Sequence, residues 1–235
     1  MAHDARSQTG GCPPVHGRSG LSPRYPARIW YCSAMEAHLR YSGRGEAAQA
    51  AALEAIVRAE PVLMEVLTLA RQLALPDCWL VSGAIYNSVW NVLTGRPSLR
   101  GVKDIDLFYF DASDLSYEAE DVVIRGAAPH FAHLPRPVEI RNQARVHLWY
   151  ERHFGQPYEP LRTSREGIDR FASTTHAVAL QLDDQDRLLV YAPYGLDEMF
   201  SFRLTPNREQ DNRRTHEAKA ARALTLWPEL QVVAW

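Results

Sequence analysis

Apolar positions follow a helical period through residues 45 to 75. From Gly45 to about Leu75 they recur every three or four residues, and Pro61 interrupts the pattern. Because proline is well tolerated in the first turn of a helix, we predict two helices here rather than one kinked helix. Residues 1 to 34 are rich in Gly, Pro, Ser, Arg and His and lack such a period, which predicts a disordered N-terminal arm before a single domain of residues 35 to 235.

The middle of the chain alternates between short apolar runs and helical periods. Cys78 to Val81 is an apolar run that ends at Ser82-Gly83, and the residues after it carry apolar side chains at helical spacing up to Leu93. This order predicts a strand, a tight turn and a helix. An apolar, aromatic segment from Asp104 to Phe110 predicts the next strand.

The rest of the chain continues the alternation. The next predicted elements are a helix from Tyr117 to about Ala128, capped by Asp114 and ended by Pro129, a strand from Pro137 to Arg141, and a helix that Asn142 caps and whose apolar side is formed by Val146, Leu148, Trp149 and Phe154. The last ones are a short helix from Ser164 to Phe171, a hairpin of Ala177 to Leu182 with Arg187 to Ala192, a short helix from Gly195 to Phe202 and a helix from Thr215 to Leu226. The element order predicts an α/β or α+β domain.

Two carboxylates stand at i and i+2 in the predicted strand of residues 104 to 110. Successive strand side chains point to opposite faces, so Asp104 and Asp106 share one face. Neighbouring carboxylates repel each other unless a cation neutralises them, and Mg²⁺ prefers such hard oxygen ligands together with water and substrate phosphates. The Ser82-Gly83 turn supplies N–H groups at a helix start, which suit a phosphate. Alternatively, the two acids cap a strand end and face solvent.

The order of a strand, a glycine turn, a helix and a strand with an Asp-x-Asp motif resembles the nucleotidyltransferase fold of the DNA polymerase beta superfamily, a mixed sheet flanked by helices. Over roughly residues 46 to 235, the chain more narrowly resembles a family of bacterial nucleotidyltransferase proteins. The motifs that carry this resemblance are Ser82-Gly83-Ala84-Ile85-Tyr86, Val89-Trp90-Asn91, Lys103-Asp104-Ile105-Asp106, Tyr109-Phe110-Asp111 and the segment from Val138 to His147.

The resemblance implies roles for the acids of the motifs. Asp104 and Asp106 would bind Mg²⁺ and act in catalysis, and Glu139 would be the third carboxylate, as a further metal ligand or as a general base. In the predicted strand Glu139 and Arg141 share a face opposite Val138 and Ile140, so Glu139 could instead form a salt bridge with Arg141.

Further polar residues are candidates for binding the nucleotide. The predicted nucleotide-binding residues are Ser82, Gly83, Asn87, Lys103 and Arg141. Asn91 lies on the same helix face as Asn87, and these two side chains either reach the nucleotide or face solvent, whereas Arg145 and His147 are weaker candidates. The Arg-rich stretch from Arg208 to Arg222 is either a solvated face or a contact for the phosphates of an acceptor.

The overall composition argues against several classes of binding partner and location. The formal net charge of -2 gives no general basic field, which argues against a grip on long DNA. No apolar run is long enough to span a membrane and no secretory signal is present, so we expect a cytoplasmic protein. The three cysteines are far apart, which indicates neither a disulfide framework nor a zinc site, and Cys78 is expected to be a buried thiol.

These observations predict a magnesium-dependent nucleotidyltransferase that transfers a nucleoside monophosphate from an NTP to a small-molecule, protein or RNA acceptor. One alternative is a catalytically silent nucleotide-binding or protein-interaction module with the same fold. Another is a metal-dependent phosphohydrolase, in which water takes the place of the acceptor. Base preference and oligomeric state do not follow from the sequence.

Overall fold

The computed structural model describes residues 37 to 235, and the predicted disordered arm of residues 1 to 34 lies outside them. The helices of the described part are α1 (Glu46–Arg58), α2 (Pro61–Leu73), α3 (Gly83–Leu93), α4 (Tyr117–Phe131), α5 (His147–Phe154), α6 (Ser164–Asp169), α7 (Asp197–Phe200) and α8 (Arg213–Leu226). Its strands are β1 (Trp79–Val81), β2 (Ile105–Tyr109), β3 (Val138–Asn142), β4 (Ala179–Leu182), β5 (Leu188–Tyr191), β6 (Arg203–Leu204) and β7 (Gln231–Val232). Short 3₁₀ turns cover Ala37–Leu39, Gln143–Arg145 and Thr174–His176.

A mixed five-stranded sheet with the order β3-β2-β1-β4-β5 forms the centre of the fold. Strands β2 and β3 run parallel, whereas β1 is antiparallel to both of its neighbours and β4 is antiparallel to β5. Strands β6 and β7 form a separate two-stranded parallel pair. The predicted mixed sheet flanked by helices, the hairpin and the two helices that separate at Pro61 are therefore confirmed.

Helix α3 is buried on nearly all sides and connects the sheet to the end of α8. Its Trp90 is fully buried, donates a hydrogen bond from the indole N–H to the Met199 carbonyl at 2.9 Å, and packs against Trp227. The Trp227 indole N–H in turn donates to Asn91 Oδ1 at 3.2 Å, and Asn91 Nδ2 donates to the Arg100 carbonyl. Asn91 is thus a structural residue in the core, and the prediction that it reaches a nucleotide is wrong.

The boundaries of α4 differ from the prediction at both ends. Ser116, not Asp114, is the N-cap, because its Oγ accepts the Ala119 N–H, while Asp114 Oδ1 accepts the Ser116 N–H at 2.8 Å. Pro129 does not end the helix, which continues to Phe131. A proline in the last turn removes one helical hydrogen bond, and burial of the Phe131 side chain favours the extra residues.

Helix α5 does not have the predicted apolar packing face. Val146 and Tyr150, four residues apart, are buried, whereas the side chains of Leu148, Trp149 and Phe154 are 54%, 45% and 44% exposed. The short helix packs through one face, and neighbouring residues such as Leu148 and Trp149 point about 100° away from each other around the axis.

Cys78 is a buried free thiol as predicted, and burial, followed by the charge of Asp77, raises its pKa to about 12. Within residues 37 to 235, every helix is too short or too polar to span a bilayer.

Candidate functional site

The turn between β1 and α3 has a strained backbone. Ser82 adopts φ 56° and ψ -107°, a region that residues with a side chain rarely occupy, and its N–H donates to the Val178 carbonyl at 2.8 Å. Gly83 is the first residue of α3, so the N–H groups of Gly83 and Ala84 belong to the first helical turn and have no acceptor within the helix. The turn therefore presents unpaired donors and the positive end of a helix dipole.

The predicted acids lie on one face of the sheet. Asp106 of β2 is directly in register with Glu139 of parallel β3 and with Val81 of β1. Residues in register on neighbouring strands project to the same face, and Asp104, two residues before Asp106, projects to that face as well. The sheet therefore brings Asp104, Asp106 and Glu139 together from two separate parts of the chain.

A cavity of about 350 Å³, which we call the first cavity, opens in front of this turn. Asp104 and Asp106 line it, facing Ser82 and Gly83 of the turn. The cationic side chains along its wall are those of Lys103, Lys219 and Arg222. Acidic groups, cationic groups and a helix N-terminus thus surround one space.

Asp106 carries negative charge that the protein itself does not neutralise. Burial raises its pKa to about 6, and the charges of Asp104 and Glu139 add to the rise, against smaller opposing effects of Lys219 and Arg141. Among the residues that the structure describes, none forms an ion pair within 4.0 Å or a side-chain hydrogen bond with Asp104 or Asp106. Both carboxylates are therefore available to a ligand.

The cations on α8 were not predicted as site residues. Part of the Lys219 side chain is exposed to water. The protein around its ammonium group lowers the pKa of that group, and the negative charges of Asp106 and Asp104 oppose this shift. The Arg222 guanidinium donates to the Gly101 carbonyl at 2.7 Å, which fixes it at the wall of the cavity. Sequence patterns predicted only a possible acceptor contact in this stretch, because nothing local connects α8 with the strand of Asp106.

Gly101 is needed where the loop before β2 passes α8. Its φ is 79°, and an added Cβ would lie 2.5 Å from Cη2 of the buried Trp227. This close approach lets the Trp227 ring support the wall of the first cavity and places Lys103 beside the acids.

Tyr86 lines the first cavity, and the buried His176 packs against it. Burial raises the pKa of Tyr86 to about 12, so its phenol is neutral at physiological pH. Its ring stacks on His176, with 4.4 Å between the ring centroids. Neither ring nitrogen of His176 has a hydrogen-bond partner among the described residues, and burial holds the pKa of its imidazole well below the usual value. His176 is thus a neutral ring that supports Tyr86.

The predicted nucleotide-binding residues are only partly brought together. Ser82, Gly83, Asn87 and Lys103 line the first cavity, and Asn87 is buried rather than turned to solvent. Arg141 does not line the cavity, and its guanidinium donates to Glu139 Oε2 at 2.9 Å. Of the weaker candidates, Arg145 pairs with Glu120, and Arg145 and His147 lie outside the cavity lining.

The donor set fits a magnesium ion that is shared with a substrate. Within residues 37 to 235, no group of three His, Cys, Asp or Glu side chains is arranged to hold a metal ion by itself. Mg²⁺ usually takes one or two protein carboxylates and completes its shell with water and phosphate oxygens. Asp104 and Asp106 match that pattern, and the pKa of Asp106 is raised first by burial and then by the neighbouring charges of Asp104 and Glu139. Glu139 stands in register beside them but is engaged by Arg141.

Comparison with known proteins assigns the chain and its fold to the nucleotidyltransferase class. A solved structure described as "a CCA-adding enzyme head domain", determined by NMR, superposes with a TM-score of 0.64 and is 26% identical over 78% of this chain and 95% of that chain. The model of the family described as "Nucleotidyltransferase" matches residues 68–232, and the chain belongs to that family. The predicted family and fold class are confirmed. No match was found among curated proteins.

Proposed function

We propose that the protein is a magnesium-dependent enzyme that transfers a nucleoside monophosphate from an NTP to an acceptor hydroxyl. The observation that carries the proposal is the pair Asp104 and Asp106, whose charges the protein leaves unneutralised in a cavity that also contains Lys103, Lys219 and Arg222. Membership of the nucleotidyltransferase family supports the reaction class. The predicted cytoplasmic location stays a prediction.

The first cavity offers two kinds of group that bind the phosphates of an NTP. Lys103, Lys219 and Arg222 offer cationic groups to phosphate oxygens, and the first N–H groups of α3 at Gly83 add donors. Fixed donors and charges of this kind stabilise the charge that develops on phosphate oxygens during transfer.

The acids of the sheet would hold the metal and take up a proton. Asp104 and Asp106 would hold Mg²⁺, which supplies charge neutralisation to the phosphates and the leaving pyrophosphate. Glu139 is placed beside Asp106 and would accept the proton of the acceptor hydroxyl. The acceptor oxygen then bonds to the α-phosphorus, and the bond from that phosphorus to the oxygen bridging it to the β-phosphate breaks.

Calorimetric titration with each of the four Mg-NTPs tests the proposal. We expect the wild-type protein to bind at least one of them, and Asp104→Asn and Asp106→Asn to weaken that binding at least tenfold, since each removes one charge and little volume. Asp111→Asn is the matched control, because Asp111 lies beyond the other end of β2 and hydrogen-bonds to Ser113. A wild-type protein that binds no Mg-NTP, or variants that bind as tightly as the wild type, would contradict the proposal.

Pyrophosphate release separates the remaining candidates. Release that depends on an added small molecule, protein or RNA supports transfer to that acceptor. Binding of Mg-NTP without release across all three acceptor classes supports the catalytically silent module instead. Release of nucleotide products with water alone supports a phosphohydrolase.

A further inference from the structure

A second cavity of about 810 Å³ lies next to the first along α8. It is lined by residues in the first two turns of α8, by Asp211 and Asn212 just before that helix, and by His153, Phe154 and Gln156 at the end of α5 and just after it. Lys219 lines both cavities. The second cavity is therefore continuous with the wall that carries the proposed NTP-binding cations.

One face of α8 serves both cavities. Thr215, Lys219 and Arg222 are separated by four and three residues, which places them on the same helical face. Thr215 borders the second cavity and Arg222 the first, with Lys219 between them. The rise of an α-helix puts Thr215 about 6 Å along the axis from Lys219, a short distance for a bound chain to cross.

The second cavity is positively charged although the whole chain is not. Arg213, Arg214 and Lys219 line it, against a single acid, Asp211, whereas the chain as a whole carries a formal charge of -2. Within residues 37 to 235, no carboxylate lies within 4.0 Å of the charged groups of Arg213, Arg214 or Lys219. The first turn of α8 contains no acidic residue, so its dipole adds to the positive field.

An exposed aromatic side chain, that of Phe154, borders the same cavity, with a second one close to it. Phe154 lines it and is 44% exposed, and Trp149 on the same helix is 45% exposed, with 6.4 Å between the two ring centroids. Aromatic rings beside a cationic groove form the usual platform for single-stranded nucleic acid, because bases stack on the rings while cations contact the phosphates. The apolar side chains of α5 that break the predicted packing pattern thus gain a role.

We propose that the second cavity binds the acceptor and that the acceptor is the 3′ end of a single-stranded RNA, an inference that rests on the proposed function. Arg213 and Arg214 contact its phosphates, Phe154 stacks on a base, and the terminal hydroxyl passes Lys219 into the first cavity. That hydroxyl gives its proton to Glu139, its oxygen bonds to the α-phosphorus of the NTP, and pyrophosphate leaves. The strand becomes one nucleotide longer.

The chemistry of the cavity favours RNA over the other acceptors. Its volume of about 810 Å³, more than twice the 350 Å³ of the first cavity, is in the range that holds a molecule the size of a nucleotide. Two arginines with no carboxylate partner beside an exposed ring match the phosphates and bases of a nucleic acid, whereas a protein hydroxyl presents no such anion. The overall charge of the chain, which argues against nucleic acid in general, does not describe this local field.

Fluorescence anisotropy with a short labelled single-stranded RNA, without NTP or Mg²⁺, tests the proposal. We expect the double variant Arg213→Glu and Arg214→Glu to bind the RNA at least tenfold more weakly than the wild type. The slope of log Kd against log salt should fall by about 1 to 1.5, because two phosphate contacts are lost. Phe154→Ala should weaken binding several-fold. Glutamate in the first turn of a helix is favourable, so the double variant should keep the wild-type melting temperature.

The matched control is the double variant Arg40→Glu and Arg44→Glu. Both arginines are exposed, line neither cavity and change the net charge by the same amount. Wild-type protein that does not bind the RNA, or a second-cavity variant that binds it as well as the control does, would overturn the inference.

Calorimetry with Mg-NTP keeps this result separate from the proposed function. The variants at Arg213, Arg214 and Phe154 should bind Mg-NTP as the wild type does, because none of them lines the first cavity. Normal Mg-NTP binding without RNA binding contradicts the acceptor inference alone. RNA binding without Mg-NTP binding contradicts the proposed function, and the bound RNA is then not an acceptor. Lengthening of the labelled RNA by wild type with Mg-NTP, lost in the double variant, supports both.

Discussion

Two groups of acids in this protein differ in how the fold treats their charge. The loop joining β4 and β5, which we call the hairpin loop, contains Asp183 and Asp186. Asp183 accepts hydrogen bonds from the Gln185 and Arg187 N–H groups and from the Arg187 side chain, and Asp186 pairs with Arg71 at 2.6 Å. Burial alone would raise the pKa of Asp183, but the hydrogen bonds from Arg187 and Gln185 hold it below the usual value.

The acids of the first cavity show the opposite behaviour. Asp106 has no such donors, and burial together with Asp104 and Glu139 raises its pKa to about 6. The carboxylates of the hairpin loop stabilise the folded loop through hydrogen bonds and an ion pair. A charged carboxylate at Asp106 in the first cavity instead lowers the stability of the folded protein. An acid that costs stability and has no partner within the protein is best explained by a partner from outside.

Removal of the cation beside each group of acids should give the largest difference between the first cavity and the hairpin loop. Lys219→Met removes an ammonium group beside Asp104 and Asp106 and should lower the rate of pyrophosphate release about a hundredfold, since a fixed charge near the phosphates is lost. Arg71→Met is the control in the hairpin loop, and it should lower the melting temperature while the rate stays within about twofold of the wild type. A Lys219 variant as active as the wild type would remove α8 from the site.

The second prediction is that substitution of the acids changes stability in opposite directions. The raised pKa of Asp106 corresponds to about 3 kcal/mol if unscreened, and partial exposure to water reduces this, so we expect Asp106→Asn to stabilise the metal-free protein by about 1 to 2 kcal/mol at pH 7.5. Asp183→Asn should lower the free energy of unfolding at the same pH, because it weakens hydrogen bonds that favour the native loop. Denaturant unfolding measures both variants.

The pH dependence of the Asp106 effect has a definite sign. The native carboxyl titrates near 6 and the unfolded one near its ordinary value of 3.8, so between these values the native state binds more protons and the wild type loses stability as the pH rises. The advantage of Asp106→Asn should therefore grow from about pH 4 to about pH 6 and stay level above it. A destabilising Asp106→Asn at pH 7.5 without metal would show that the charge is already compensated.

Sequence patterns predicted much of the fold because its strands and helices have strong local signals. The apolar run before Ser82 and the alternation around Asp106 fix β1 and β2, and the same alternation places Asp104 and Asp106 on one face. The family resemblance, and not the local pattern, predicted that Glu139 stands beside Asp104 and Asp106. Confirmation of the family leaves the predicted site residues themselves as proposals.

The parts that the sequence did not predict depend on tertiary contacts. Lys219 and Arg222 reach the first cavity because Trp227 packs on Trp90 and Gly101, more than a hundred residues away in the chain. Asn91 looked like a surface polar residue, yet its amide satisfies Trp227 and the Arg100 carbonyl in the core. No periodicity encodes such pairings, since each depends on where a distant element is placed.

The turn at Ser82 gives the smallest prediction and extends the comparison to the backbone. The sequence predicts a tight turn at Ser82-Gly83, and the residue of that turn with a positive φ, 56°, is Ser82 and not the glycine. Such a conformation costs of order 1 to 3 kcal/mol for a residue with a side chain, part of which is offset by the larger entropy of glycine in the unfolded chain. We expect Ser82→Gly to raise the free energy of unfolding by about 1 kcal/mol, measured by denaturant titration.

Asp186 in the hairpin loop is the matched position, with a φ of 58°. Aspartate tolerates the left-handed region better than most residues, and the Asp186 carboxylate is held by Arg71, so Asp186→Gly loses an ion pair and should lower the melting temperature. If both glycine variants stabilise the protein equally, the strain at Ser82 is an ordinary property of turns. If only Ser82→Gly does, the backbone beside the first cavity, like its carboxylates, is kept in a costly state that a bound phosphate would explain.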